Sequence, residues 1–259
     1  MKKRYQIQFP KADLSNLSQN EAYFYLQESD GKRKIKFHDY SEIYSIQGLY
    51  EQIFYDRLKC TSPNKVASIL QSAVTQSQHN LTELRVLDLG AGNGMMGEEL
   101  KKYGVSRLIG VDIIPEAYSA SMRDRAGVYD AYYIQDFAKL DEDKKQEIAS
   151  WQCNCMVTVA ALGFGDIPIN AFIEAYNIIS SKGWVAFNIQ ETFFDNSDKT
   201  GFSTMVRELI FSEYLDVYHI ERYRHRLSIE GRPLYYFAIV GRKNTDVSSE
   251  FLASKGNMA

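Results

Sequence analysis

The chain has 259 residues, 45% apolar and 24% charged, a composition that speaks against disorder and suits a globular protein of one well-buried domain, alone or with a small appendage. Its formal net charge of -3 offers no global attraction to nucleic acid or an anionic bilayer, so neither partner is expected. No run of about 18 apolar residues is present, and the basic start MKKRYQIQFPKADLS lacks the apolar stretch of a secretion signal, so a cytoplasmic location is expected.

Residues 23–37, YFYLQESDGKRKIKF, place Ser-Asp-Gly between alternating runs and predict a β-hairpin in an N-terminal appendage spanning 1–37. Residues 38–82 read as a helical lid segment broken at Thr61-Ser62-Pro63, with Ser62 as the cap and Pro63 as the first helical residue. From Arg85 onward RVLDL, RLIGVD, AYYIQD, CMVTVAAL and WVAFNIQ alternate with helical patterns, which implies parallel strands joined by right-handed crossovers. After a helix near 201–213, DVYHIERYRHRL and LYYFAIVGRK flank SIEGRP, a link too short for a helical crossover, so the last strand must run antiparallel. The expected fold is α/β: a Rossmann-like, seven-stranded, mostly parallel sheet over residues 83–242, with helices on both faces. Residues 243–259 read as a flexible tail. The three cysteines, Cys60, Cys153 and Cys155, are too few for a disulfide framework or a zinc site and are expected as reduced core thiols, the last two on one face of one strand.

In such a sheet ligands bind beyond the carboxyl ends of the strands, commonly where the first strand turns into its helix. VLDLGAGNGMMGEEL places Gly90, Gly92 and Gly94 there. Asp88 precedes the turn, Asp112 ends the next strand where a carboxylate can accept from both ribose hydroxyls, and Asp136 ends the third. Three acids at successive strand ends disfavour a phosphate and favour a positively charged nucleoside. NAD stays open as an alternative, because Gly92, Gly94 and Gly97 satisfy G-x-G-x-x-G with Asp112 about 20 residues on. Counted from the strand end, however, the third position falls on Met95. A P-loop is excluded, since no Gly-Lys-Ser/Thr follows.

These segments resemble the class I S-adenosylmethionine-dependent methyltransferases: VLDLGAGNG is similar to that family's first motif, GVDII to its second, IQDF to its third, CMVTVAAL to its fourth and SSKGWVAFNIQ to its fifth. The resemblance spans 37–242 and is strongest to small-molecule members akin to the ubiquinone/menaquinone C-methyltransferases and the Williams-Beuren-region methyltransferase-like proteins. It implies S-adenosylmethionine as cofactor and S-adenosylhomocysteine as product; the fourth-strand end lacks the acid of the metal-dependent catechol-type members, so no metal is expected. It also implies that Gly90, Ala91 and Gly92, followed by Asn93 and Gly94, pass beneath the methionine portion, with Asp88 near its ammonium. Asp112, with Ile113 beside it, would hold the ribose; Asp136 and the Phe137 N–H would meet the adenine; Ala160, Ala161 and Leu162 would lie beside the methionine portion. Phe37, Ser41 and Tyr44 resemble an aromatic-D-x-x-A-x-x-Y-D lid segment in which His38 and Ser45 here replace both acids, and Tyr40 and Tyr44 would cover the cofactor.

The implied reaction is nucleophilic attack on the sulfonium methyl, which needs alignment first and a base only if the acceptor must lose a proton. Candidate catalytic groups are His38, Tyr40, Glu191 and His225, with Asp166 and Gln190 also on the expected side. The hairpin after the sixth strand carries Arg224, His225, Arg226 and Arg232 toward the substrate mouth, where they could select a carboxylate or phosphate on a small-molecule acceptor. Two other classes stay open: an NAD-binding oxidoreductase, and an S-adenosylmethionine-binding module without catalysis.

Overall fold

The structure, a computed structural model, describes residues 4–10, 21–29, 31–162, 166–194, 201–248 and 250–251. Near the N-terminus, β1 (Ile7–Gln8), β2 (Tyr23–Glu28) and β3 (Gly31–Lys36) form an antiparallel sheet in that order. Alternation along β2 and β3 turns Phe24, Leu26 and Ile35 inward and leaves the lysines of β3 in solvent. The buried face packs on α1 (Tyr40–Ser45), α2 (Leu49–Glu51) and a π-helical turn, Gln52–Arg57, that continues α2, through Ile43, Leu49, Ile53 and Phe54. Asp39 caps α1 by accepting from the Glu42 N–H.

The large sheet contains β4 (Arg85–Leu89), β5 (Arg107–Asp112), β6 (Ala131–Ile134), β7 (Cys155–Thr158), β8 (Trp184–Gln190), β9 (Leu215–Leu227) and β10 (Pro233–Lys243), ordered β6-β5-β4-β7-β8-β10-β9. The first five in chain order are parallel, and β10 runs antiparallel to both neighbours, so the expected mostly parallel sheet with a reversed last strand is present. The centre of the sheet is apolar on both sides. One face packs on α3 (Ser62–Gln76) and α4 (Met95–Lys102), the other on α6 (Glu142–Ala149), α7 (Ile169–Ile178) and α8 (Phe202–Phe211), while α5 (Pro115–Asp124) lies against α1. Among the described residues no helix is long and apolar enough to cross a membrane.

Three local expectations need correction. Thr61, not Ser62, precedes α3, and Pro63 takes its second position; the Ser62 hydroxyl is buried against Tyr223 and His225 instead of capping. Cys153 and Cys155 do not share a face: β7 begins at Cys155, Gln152 turns the chain with φ 52°, and the two thiols enter opposite cores. The start of the supposed tail is docked. Lys243 is fully buried and its ammonium donates to the carbonyls of Tyr176, Asn177 and Ile179 at the end of α7, a cation satisfying orphan helix acceptors. Val247 exchanges two 2.9 Å bonds with the Asn177 side chain. Residues 252–259 lie outside the described part.

Candidate functional site

The chain leaves β4 at Leu89 and folds back on β5, with the N–H groups of Gly90 and Ala91 both donating to the Val111 carbonyl at 2.9 Å. This tight return requires φ of 73° at Gly90 and 54° at Gly92, the left-handed region that glycine enters without a Cβ clash. A Cβ on Gly90 would lie 2.9 Å from the Ala161 methyl, and one on Gly92 2.5 Å from the Tyr44 hydroxyl. Asp112 sits at the carboxyl end of β5 and ties the turn down: Oδ2 accepts from the Gly92 N–H at 2.9 Å and Oδ1 from the Ile114 N–H at 3.0 Å. Burial raises its pKa, and those backbone donors oppose the shift. Each oxygen keeps acceptor capacity for a further donor.

Above this turn lies a cavity of about 360 Å³. Of the residues singled out from sequence, it brings together Gly90, Ala91, Gly92, Asn93, Asp112, Ile113, Asp136, Phe137, Ala160 and Ala161 along the strand ends, and His38, Tyr40 and Tyr44 from the N-terminal side. Asp136 does two things, lining the cavity while its Oδ1 caps the 3-10 turn Phe137–Lys139 through the Ala138 N–H at 2.9 Å. Ala160 turns the chain out of β7 with φ 59°, its N–H held at 2.7 Å by Asn188 Oδ1.

Other members of the expected set fall elsewhere. Asp88 does not line the cavity: it pairs with Gly110 on the same sheet face as Asp112 but one residue short of the end of β4, where it is 1% exposed and accepts from the Tyr129 hydroxyl at 2.7 Å. Burial pushes its pKa up to about 7, opposed by the Tyr129 bond. Gly94 precedes α4 in a left-handed conformation, outside the lining. Glu191 also lies outside it, beyond the end of β8, its carboxylate taken by Arg222 at 2.6 Å. Leu162 and His225 line a second, smaller cavity of about 40 Å³, whose wall shares His38, Tyr40, Tyr50, Ala160 and Asp166 with the first. Arg226 borders this second cavity, whereas Arg224 is exposed and Arg232 pairs with Glu230.

Two aromatic wall residues escaped sequence reading. Tyr50 packs on Tyr44 at 4.9 Å, and Tyr55 lies 6.1 Å from Tyr50. Five residues apart, they would diverge on an α-helix; the π turn, with its i→i+5 repeat, returns both to the cavity side. The signal was faint, because a π turn has no period distinct from an ordinary helix over six residues. Burial holds the Tyr40 and Tyr44 hydroxyls well above the usual tyrosine range, so both are neutral. His38, among the described residues the one imidazole lining the larger cavity, faces Asp166 with Nδ1 3.3 Å from both carboxylate oxygens. Arg125 clasps the floor to the cover: it donates to Glu51 at 2.7 Å and to the Asn93 carbonyl at 3.2 Å, while Asn93 donates to the same Glu51 oxygen. Among the described residues no group of three His, Cys, Asp or Glu is placed to hold a metal ion.

No protein-family model matches the chain, and comparison with curated proteins finds no match. Solved structures do match. The N-methyltransferase NodS from Bradyrhizobium japonicum WM9, solved with S-adenosylhomocysteine, superposes with a TM-score of 0.50 at 12% identity, covering 80% of this chain and 97% of NodS. The fold is that of the class I methyltransferases. A candidate RNA methyltransferase from Pyrococcus horikoshii matches equally, with a TM-score of 0.50 at 14% identity over 71% of this chain and 84% of its own. The cavity lies where a methyltransferase fold exposes its strand ends.

Proposed function

We propose that the protein transfers a methyl group from S-adenosylmethionine to a small-molecule acceptor. The observation that carries this reading is the course of the cavity wall, from Gln135–Phe137 past Asp112–Ile114 and over Gly90–Asn93 to Ala160, where it meets the second cavity beneath an aromatic cover. The donor set fits the cofactor in that order: Asp136 and the Phe137 backbone for the adenine, the half-buried Asp112 carboxylate for the ribose hydroxyls, the Gly90–Gly92 backbone for the methionine portion. Asp88, buried outside the cavity lining, accepts from the Tyr129 hydroxyl, which also lies 3.4 Å from the Ala91 carbonyl of the turn, and is not assigned to the ammonium. When bound, the cofactor supplies a sulfonium methyl; the acceptor's lone pair forms the new bond to carbon as the old sulfur–carbon pair returns to sulfur.

The protein's part is alignment and exclusion of water. Tyr40 and Tyr50 line both cavities and Tyr44 covers the larger one, and their neutral rings add no charge that would compete with the sulfonium. His38, oriented by Asp166, also lines both and takes a proton from the acceptor where one must leave. Glu191, bound by Arg222, is left without this role. The second cavity, of about 40 Å³, has room for a few atoms of an acceptor, which supports a small one.

The test uses methyl-labelled S-adenosylmethionine incubated with a cell extract divided into metabolite, RNA and protein fractions. Label is expected in the metabolite fraction, and His38→Ala should slow its transfer by roughly a hundredfold. Label confined to RNA or protein overturns the small-molecule reading. Calorimetry in which NADH binds and neither S-adenosylmethionine nor S-adenosylhomocysteine does overturns the cofactor.

A further inference from the structure

The second cavity is bounded on its β9 side by His225 and Arg226, and the hydrogen bonds behind His225 determine which of its ring nitrogens carries the proton. The chain of donors starts at the Ala160 N–H, which occupies Asn188 Oδ1 at 2.7 Å. The Asn188 amide must then present Nδ2, which donates to the Tyr223 hydroxyl at 2.8 Å and more weakly to Ser62 Oγ at 3.3 Å. Tyr223 is buried, and the acceptor within reach of its O–H is Ser62 Oγ at 2.7 Å. Ser62 therefore accepts from Tyr223 and sends its own proton to His225 Nδ1 at 2.5 Å. The Cys60 thiol, also protonated because burial raises its pKa, faces the same nitrogen at 3.9 Å. With Nδ1 an acceptor, the proton of the neutral ring sits on Nε2. Burial and the Arg226 charge both disfavour a second proton.

Backbone geometry brings the neighbouring cation to the same wall. Leu234 pairs with Arg226 but Tyr235 with Arg224, so His225 is an extra residue in a register shift between β9 and β10. Its carbonyl turns aside to accept from the Thr61 N–H at 2.9 Å. In an unbroken strand His225 and Arg226 would point to opposite faces; the irregularity lets both border one cavity. Arg226 is half-buried, and among the described residues its side chain donates to the Leu227 carbonyl at 3.0 Å and has no carboxylate in a salt bridge to it. The acid across the cavity, Asp166, is bound to His38. Among the described residues, Tyr40, Tyr50 and Tyr236, neutral by burial, complete the titratable groups facing the space with Cys60.

We infer that this second cavity binds a carboxylate of the methyl acceptor, through the Arg226 guanidinium and the Nε2–H of His225. The inference rests on the small-molecule reading for its biological meaning, yet the anion site itself exists or fails independently of the cofactor. It also changes the role of His225. A ring whose proton points into the cavity donates to the acceptor and positions it, and does not act as the base.

The chain has 4 histidines, so the His225 resonances can be assigned in ¹⁵N-histidine NMR by their loss in His225→Gln. The probe is acetate, titrated with and without saturating S-adenosylhomocysteine. The parent should show the Nε2–H tautomer, Ser62→Ala should disturb it, and acetate should shift the Nε2 signal with an affinity at least tenfold weaker in Arg226→Met and partly restored in Arg226→Lys. A Nδ1–H tautomer, no response to acetate in either condition, or equal affinity in Arg226→Met overturns the inference. If acetate responds as expected while calorimetry detects no S-adenosylhomocysteine binding, the anion site stands and the methyltransferase reading falls.

Discussion

At Gly92 backbone conformation, packing and ligand approach meet at one Cα. The residue holds φ 54°, its N–H donates to Asp112, its carbonyl accepts from the Tyr132 hydroxyl at 2.7 Å, and the Tyr44 hydroxyl occupies the space where a Cβ would go. Gly92→Ala therefore meets two penalties, about 1–2 kcal/mol for a left-handed L-residue and a collision with Tyr44. S-adenosylmethionine affinity, measured by calorimetry, should fall by roughly ten- to a hundredfold at about 1.4 kcal/mol per decade. Adding Tyr44→Phe removes the hydroxyl and should restore part of the loss; if the double variant binds no better than Gly92→Ala, the contact is not what opposes the methyl. The glycines were legible as a turn from their spacing alone. That Tyr44, 48 positions earlier in sequence, covers one of them was suggested only by family resemblance, because covering is a tertiary contact.

At the scale of elements, the floor and the cover are joined by one buried cation. Arg125 ends α5 and reaches Glu51 at the end of α2, the Asn93 carbonyl in the turn and Glu98 on α4. The pair is shielded, with side-chain exposures of 9% for Arg125 and 17% for Glu51, so removing the cation leaves a carboxylate desolvated and uncompensated. Arg125→Ala should cost about 3–5 kcal/mol in urea unfolding, and adding Glu51→Gln should return a measurable part of it. Additive losses would mean that the two side chains stabilise the fold separately. Nothing in the sequence marked this pair, since residues 74 positions apart have no periodic relation. The same holds for the π turn that gathers Tyr50 and Tyr55 and for the register shift at His225: each is one residue's departure from a regular element, imposed by packing on both sides.

For the whole molecule, Asp88 links global stability to pH. Its carboxyl is buried in the centre of the sheet and titrates at about 7, against 3.8 for the unreacted side chain, because burial penalises the charge. Between those values the folded chain holds a proton that the unfolded chain has released, so this group makes stability fall as pH rises, and the full penalty applies above about 7. Asp88→Asn lacks that dependence while its amide oxygen still accepts from Tyr129. The stability of Asp88→Asn relative to the parent should rise by a few kcal/mol from pH 4 to pH 8, at about 1.4 kcal/mol per pH unit, in denaturant melts across that range. A pH-independent difference would mean that Asp88 is ionised throughout.

The sequence alone determined what depends on local pattern. Apolar runs alternating with helical segments specify the parallel sheet, the short SIEGRP link forces the reversed strand, and strand ends carrying glycine and aspartate mark the ligand edge, because period, chain reach and backbone freedom are properties of neighbouring residues. Tertiary structure decided which way those residues face and whom they meet. Asp88 and Asp112 are both acids near strand ends on one face of the sheet, yet one is buried against Tyr129 and the other lines the cavity; Glu191 is claimed by Arg222 and His38 by Asp166. The buried chain from Ala160 through Asn188, Tyr223 and Ser62 to His225 draws on three separate elements and a loop. Its protons can be assigned only once every donor has found its acceptor, and that condition belongs to the folded chain.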